Sequence, residues 1–74
     1  MDSHQLIKMA NQIGQFFESM PNRAEAEKDI ATHLKRFWDP RMRRVILASL
    51  DTEDANSMSA IVREAITTHR QMLA

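Results

Sequence analysis

Apolar residues recur at three- and four-residue spacing along most of the chain, and this spacing is typical of amphipathic helices. The first such run predicts a helix over residues 3–20, which Asp2 can cap and Pro21 ends. Gly14 lies beside its apolar face, and two interpretations stay open: either another element packs closely against it, or it is a tolerated surface glycine. Asn11 falls on the opposite side and is expected to be exposed. The predicted buried face consists of Leu6, Met9, Ala10, Ile13, Phe16, Phe17 and Met20.

A second helix is predicted over residues 23–38, because Asn22 and Glu25 form a capping pattern directly before the next apolar run. Asp39 and Pro40 then predict a sharp corner. The residue before a proline avoids the helical conformation, while aspartate caps helices and proline suits their first turn. The buried face of the second helix is predicted to contain Ala26, Ile30, Ala31, Leu34, Phe37 and Trp38.

The third helix is predicted to begin at Pro40 and to end near Leu50. Arg41 and Arg44 are expected to point away from the core. The polar, acidic segment 51–57 then predicts a connection to the last helix. The inner stripe of the third helix is predicted to contain Met42, Val45, Ile46, Ser49 and Leu50.

The helical periodicity resumes over residues 57–73. His69 lies at the centre of this apolar face, where a hydrogen-bonded core or interface histidine is favoured over a metal ligand, because a metal site needs further ligands nearby. No segment shows the alternation of a strand. The sequence therefore predicts an all-α fold, a small array of about four short amphipathic helices forming a single helical domain over residues 1–74. The buried face of the fourth helix is predicted to contain Met58, Ile61, Val62, Ala65, Ile66, His69, Met72 and Leu73.

The chain has 74 residues and no cysteine. A domain of this length buries only about 60–65% of its unfolded surface, so its own stability is expected to be modest, and no disulfide can add to it. The longest apolar runs are far shorter than the ~20 residues that span a bilayer, and the first residues lack the basic and apolar blocks of a leader peptide. The expectation is a soluble, cytoplasmic protein.

The sequence offers little that could carry catalysis. One glycine excludes a glycine-rich phosphate loop, and the three histidines are scattered along the chain. The absence of cysteine removes thiolate nucleophiles and iron–sulfur ligands. We therefore expect no catalytic residue, no cofactor-binding residue and no metal ligand in this chain.

Basic side chains are concentrated in one segment of an otherwise neutral chain. Ten basic and ten acidic residues give a net charge of zero, whereas residues 35–44 carry five basic side chains and one acidic side chain. Three interpretations of this segment stay open: a solvated rim, a docking patch for an acidic partner surface, and a phosphate-binding helix-turn-helix. The net charge of zero argues against a protein whose main role is to bind nucleic acid.

Trp38, within this basic segment, has two interpretations. It either closes the small core where the second and third helices meet, or stands half exposed as an interface anchor, since tryptophan and arginine are frequent in binding hot spots. Ile7 and Leu47 fall at the edges of their apolar stripes and predict an excess of apolar surface, which favours a protein partner.

Three blocks of the sequence carry more information than their amphipathic pattern. They are Leu6-Ile-Lys-Met-Ala-Asn-Gln-Ile13 followed by Phe16-Phe17, then His33-Leu34 with Phe37-Trp-Asp-Pro-Arg-Met-Arg43, and Val62-Arg-Glu-Ala65. Together they resemble the delta subunit of molybdenum-containing, NAD-dependent formate dehydrogenases. The second block is the specific one, because two aromatics at a helix end, an Asp-Pro joint and a new basic helix are a rare combination. The connection before the last helix departs from the family pattern, since it contains no glycine.

The resemblance implies a non-catalytic accessory subunit that supports assembly, stability or cofactor loading of a large, molybdopterin-containing catalytic subunit. The implied complex also contains flavin (FMN) and iron–sulfur subunits, oxidises formate and reduces NAD, and no membrane or nucleic-acid partner is expected. The alternative is a free-standing helical nucleic-acid-binding or regulatory module that uses the basic segment 35–44. The predicted partner-binding residues are Phe37, Trp38, Asp39, Arg41, Arg43 and Arg44.

Overall fold

The computed structural model describes residues 2–74 of the chain, which form five α-helices and one 3₁₀ helix. No strand occurs in this part of the chain, and four of the α-helices have at least 9 residues. The predicted all-α array of about four amphipathic helices is therefore confirmed. None of the described helices is long and apolar enough to cross a membrane. The α-helices are α1 (Ser3–Phe17), α2 (Arg23–Phe37), α3 (Pro40–Ser49), α4 (Ala60–Thr68) and α5 (Arg70–Leu73), and the 3₁₀ helix covers Glu53–Ser57.

Side-chain caps fix the first residues of the three longest helices. Asp2 caps α1 at 3.0 Å, Asn22 caps α2 at 2.9 Å and Asp39 caps α3 at 2.9 Å. In each case a side-chain oxygen accepts a hydrogen bond from a backbone N–H that has no partner inside the helix. These three helix starts were predicted and are confirmed. α1 ends at Phe17 rather than at the predicted residue 20.

The second half of the chain differs from the prediction. The segment expected to be a connection contains the 3₁₀ helix, and Met58 after it is extended, with φ −77° and ψ 139°. The predicted helix over residues 57–73 is divided into α4 and α5 at His69, whose φ of −107° and ψ of 29° lie outside the helical region. Met58 is buried nonetheless, because an extended residue after a 3₁₀ turn can reach the core as well as a helical one.

The core lies where α2 packs against α1, α4 and α5, and where α1 packs against α3 and α4. α1 passes α4 at Gly14, which is buried against the side chains of Ile61 and Val62. Of the two interpretations of this glycine, the close approach is confirmed. The buried core consists of Leu6, Ile7, Ala10, Ala26, Ile30, Leu34, Trp38, Ile46, Met58, Ile61, Val62, Ala65, Ile66 and Leu73.

The buried face of α1 is rotated relative to the predicted one. Ile7, expected at the edge of the face, is 2% exposed, and the neighbouring Gly14 is buried too. Phe16, near the other edge, is 76% exposed, so its predicted burial was wrong. An apolar arc spans roughly 100° or more of a helix, and the packing partners decide which edge of that arc they cover.

α2 also differs from its prediction at two residues. Phe37, predicted to be buried, lies on the last turn of α2 and is 67% exposed. Glu27 is 8% exposed, although carboxylates are rarely buried unless they are paired. Its partner is Arg23, whose guanidinium contacts Glu27 at 3.2 Å and Glu64 of α4 at 3.1 Å. Burial raises the pKa of the Glu27 carboxyl, and interaction with Glu64 adds to this effect while Arg23 opposes it.

Asn11, expected to be exposed, is partly buried and joins α1 to the residues that precede α4. Its Nδ2 donates to the backbone carbonyl of Ser57 at 2.9 Å, and its Oδ1 accepts from the backbone N–H of Ser59 at 2.9 Å. Because the side chain of Ser59 does not cap α4, the bridge from Asn11 helps to fix where that helix begins.

Candidate docking surface

Four rings from two helices form a continuous row, which we call the aromatic row. Phe16 and Phe17 lie on the last turn of α1. His33 and Phe37 lie one turn apart on α2. Ring centroids are 5.1 Å apart within the α1 pair and 4.7 Å apart within the α2 pair. Between the helices, the centroids of Phe17 and His33 are 6.3 Å apart. Edge-to-face and tilted contacts of this kind stabilise aromatic pairs, so the row joins α1 to α2.

The two ends of the aromatic row are exposed to solvent. Phe16 and Phe37 are the large apolar side chains with high exposure among residues 2–74. Leaving such a ring in water forgoes about 1.5–3 kcal/mol that its burial would supply. Met9 and Ile13 of α1 are only partly buried and continue the apolar surface. A contiguous apolar patch of this kind is a candidate interaction site.

A groove of about 560 Å³ lies beside the aromatic row. It is open to solvent, and its polar side chains are those of Gln12 and His33. Its size and largely apolar lining suit the insertion of apolar side chains from another molecule. The lining residues are Met9, Gln12, Ile13, Phe16, Phe17, His33 and Trp38.

Arg36 gives one end of the aromatic row a positive charge. The central guanidinium carbon of Arg36 lies 5.6 Å from the ring centroid of Phe37, which is a cation–π distance. Within the described residues, no carboxylate lies in salt-bridge contact with Arg36. Asp29 lines the same shallow depression as Arg36, Phe17 and Phe37 but does not form an ion pair with the arginine. The guanidinium is therefore free to pair with a carboxylate of another molecule.

The six residues predicted to bind a partner divide into two groups, and three of them have structural contacts. Trp38 is 6% exposed and closes the core, so the interpretation of it as a half-exposed anchor was wrong. Its ring is buried because the chain turns at Asp39, whose carboxylate caps α3. Arg43 donates from one guanidinium nitrogen to the backbone carbonyl of Lys35 at 2.8 Å and to that of Trp38 at 3.3 Å. These carbonyls lie at the end of α2, and the last carbonyls of a helix have no N–H partner within it, so Arg43 supplies the missing donor.

The other three predicted residues are available to a partner. Phe37 is exposed at the end of the aromatic row, and Arg41 and Arg44 are exposed on α3. Neither arginine forms an ion pair with any residue from Asp2 to Ala74. Whether these three side chains contact a partner stays a prediction.

The sequence interpretation assigned Phe16 to the core, included Arg36 in the basic segment 35–44 but not among the six partner-binding residues, and placed the excess apolar surface elsewhere. The edges named for it were Ile7 and Leu47, but Ile7 is buried and Leu47 packs partly buried against the core. A signal was present in the chain: Phe17, His33 and Phe37 cluster on two neighbouring helices, and aromatic residues are enriched in interfaces.

Three polar residues near the start of α1 have the residue types of a hydrolase triad but not its geometry. Ser3 Oγ donates to Asp54 at 2.9 Å, and His4 Nε2 lies 3.3 Å from the same carboxylate. In a triad the serine hydroxyl is hydrogen-bonded to the histidine, and the histidine activates the serine by accepting its proton. Here both side chains contact Asp54, so the cluster ties α1 to the 3₁₀ helix. No group of three or more potential metal ligands occurs over residues 2–74.

Comparison with known proteins identifies one family. The model of the family described as NADH-dependent formate dehydrogenase delta subunit FdsD matches residues 5–66. The matched range includes α2, α3 and the 3₁₀ helix and most of α1 and α4. No curated protein and no solved structure matches the chain. The family match gives no support to a free-standing nucleic-acid-binding module.

Proposed function

Because the chain belongs to the family of NADH-dependent formate dehydrogenase delta subunits, we propose that it is a non-catalytic accessory subunit of such an enzyme. Its partner in this proposal is the large, molybdenum-containing catalytic subunit. The observation that carries the proposal, beside the family match, is the exposure of Phe16 and Phe37 on one apolar surface. A subunit needs a surface of this kind, because burial of apolar area drives most protein association.

In this function the chain supports assembly, stability or cofactor loading of the catalytic subunit within a cytoplasmic complex. The complex carries molybdopterin, iron–sulfur clusters and FMN, oxidises formate and reduces NAD. The chain itself binds none of these groups. Its contribution is a surface that holds the catalytic subunit in the conformation that accepts or retains its cofactors.

The basic corner after α2 is part of the proposed contact. Phe37, Arg41 and Arg44 are exposed there, whereas Trp38, Asp39 and Arg43 hold the corner in shape. Arginine suits such a role because its planar guanidinium forms paired hydrogen bonds with carboxylates. We therefore propose that the second set of residues, which shapes the corner, positions the three exposed side chains for contact with the partner.

Co-purification tests this function. A tagged copy of the chain is expressed together with the formate dehydrogenase encoded in the same genome, and the eluate is assayed for molybdenum, iron and formate oxidation. We expect a stoichiometric large subunit that contains molybdenum. Expression of the enzyme without the chain should lower the yield or molybdenum content of the active complex. Recovery of the tagged chain alone, together with a fully loaded enzyme in its absence, would contradict the proposal.

A further inference from the structure

We propose, building on the accessory-subunit function above, that the groove beside the aromatic row receives apolar side chains from a short segment of the catalytic subunit. In the same contact, an aspartate or glutamate that flanks those side chains pairs with Arg36. Phe16 and Phe37 lie at the two ends of this contact and are the residues that it buries most.

The shape of the surface favours an inserted side chain over a flat contact. α1 contributes Met9, Ile13 and Phe16 to the lining of the groove, and His33 of α2 and Trp38, which directly follows α2, also line it. The ring contacts of the aromatic row hold Phe17 between its neighbours, so this part of the groove is already formed. A preformed apolar site binds with a smaller loss of conformational freedom than one that must be ordered by its ligand.

The positive charge of Arg36 beside the groove favours a partner segment that carries a carboxylate next to its apolar side chains. Arg36 lies against the ring of Phe37 and has no carboxylate partner within the described chain. The adjacent Lys35 is exposed as well. Asp29 lies near Arg36 and offsets part of this charge, yet residues 35–44 carry five basic side chains against one acidic. A partner segment with a carboxylate at this edge satisfies the guanidinium, whereas a basic segment is repelled.

A protein segment fits these observations better than a membrane or a small ligand. Exposed phenylalanine beside arginine also occurs on membrane-binding helices, but those present a convex apolar face, and here the apolar surface is a groove. A small-ligand site encloses most of its ligand, whereas this groove is open to solvent. The family supplies a protein partner, since a delta subunit belongs to a larger enzyme.

Photo-crosslinking within the assembled complex identifies the segment. Benzoylphenylalanine is placed at Phe16 or at Phe37, and at Arg63 as a control, because Arg63 is exposed on α4 and does not line the groove. The tagged complex is irradiated and the crosslinked peptides are sequenced by mass spectrometry. We expect the probes at residues 16 and 37 to capture one segment of the catalytic subunit that contains bulky apolar residues and at least one aspartate or glutamate. Capture of a basic or wholly polar segment, or capture from residue 63 alone, would overturn the proposal.

Substitutions measure the two parts of the contact separately. Phe16→Ser with Phe37→Ser removes the exposed rings, and recovery of the catalytic subunit should fall on the order of tenfold or more. Arg36→Glu should lower recovery more than Arg36→Lys, while Arg63→Glu, which changes the charge equally outside the groove, should leave recovery unchanged. These side chains are exposed, so the variants should stay folded, and melting curves followed by circular dichroism should show only the small loss of stability expected from the ring contacts of Phe16 and Phe37.

The outcomes separate the docking surface from the proposed function. If the wild-type chain recovers no catalytic subunit and the enzyme is fully loaded without it, the accessory function fails and the groove proposal fails with it. If the wild type recovers it and the double serine variant recovers as much, the function stands and the groove is not the docking surface. Binding of the wild type to anionic lipid vesicles that is lost in the double serine variant, without loss of complex, would reassign the surface to a membrane.

Discussion

Gly14 of α1 and Val62 of α4 lie so close together that a Cβ atom added to the glycine would be 2.6 Å from Val62 Cγ2. The same atom would be 3.3 Å from Ile61 Cγ2. Real Cβ atoms do not approach other atoms as closely as the first of these distances. The only glycine of the chain therefore allows two helices to pack against each other at a distance that no other residue permits.

Gly14→Ala should lower the free energy of unfolding by up to about 2 kcal/mol. Overpacking costs about 1–3 kcal/mol, whereas the better helix propensity of alanine returns about 1 kcal/mol. Val62 yields little, because a β-branched side chain on a helix is restricted to few rotamers. Urea unfolding followed by circular dichroism measures the change, with exposed Gln15→Ala as the control. If the clash is the cause, Gly14→Ala should be less harmful in a Val62→Ala background, and equal effects in both backgrounds would contradict this explanation.

Arg43→Ala should lower the free energy of unfolding by about 1–2 kcal/mol, because it leaves the carbonyls of Lys35 and Trp38 without their donor. The matched control is Arg44→Ala, which removes the same charge from an exposed side chain and should change stability by less than about 0.5 kcal/mol. Denaturant unfolding of the two variants beside the wild type makes the comparison. Equal effects of the two substitutions would show that charge, rather than the hydrogen bonds at the end of α2, is responsible.

Glu27→Gln should change stability in a pH-dependent way. Burial raises the pKa of Glu27 in the folded chain above its unfolded value. The stability that its proton contributes is therefore fully present below the unfolded pKa and is lost as the pH rises through the folded pKa. Relative to the wild type, the glutamine variant should become more stable as the pH rises from about 4 to about 7. Thermal melts across this range test the sign, and Glu18→Gln, at an exposed carboxylate, controls for the lost charge.

The basic corner can be tested as a docking surface by charge reversal. Arg41→Glu with Arg44→Glu should preserve the melting curve, because both side chains are exposed, and should weaken recovery of the catalytic subunit. The effect should be larger at low salt, where surface attraction is least screened. Asp39→Ala should instead change the melting curve, because loss of the α3 cap should lower the free energy of unfolding by about 0.5–2 kcal/mol. Undiminished recovery by the doubly reversed chain would show that the two arginines form a solvated rim.

The starts of α1, α2 and α3 could be predicted because the information is local. Asp2, Asn22 and Asp39 each bond a backbone N–H within three residues, so a short stretch of sequence is enough to recognise the cap. The break at His69 could not be predicted, because the apolar pattern continues through it from α4 into α5. Met58 was assigned to a helix for the same reason, since periodicity reports burial and not backbone conformation.

The candidate site was predictable only in part. Arg41 and Arg44 could be assigned to the exposed side of α3 from helical spacing alone. Phe16 was misassigned, because its exposure depends on which edge of the α1 arc the other helices cover. The contacts of Arg43 with the end of α2 depend on the angle of the corner, which no local pattern encodes. The exposure of Phe16 and the contacts of Arg43 arise from tertiary geometry and could not be assigned from the sequence, whereas the exposure of Arg41 and Arg44 is set within one helix and could be.

Trp38 is the only tryptophan of the chain, and it is buried in the core while also lining the groove. An indole in apolar surroundings emits at shorter wavelengths than one in water, so unfolding of the chain should shift its fluorescence to the red. Because the same ring lines the groove together with His33, a segment that enters the groove changes the surroundings of this one fluorophore. The chain thus carries its own optical reporter, and both unfolding and occupation of the groove can be followed without an added label.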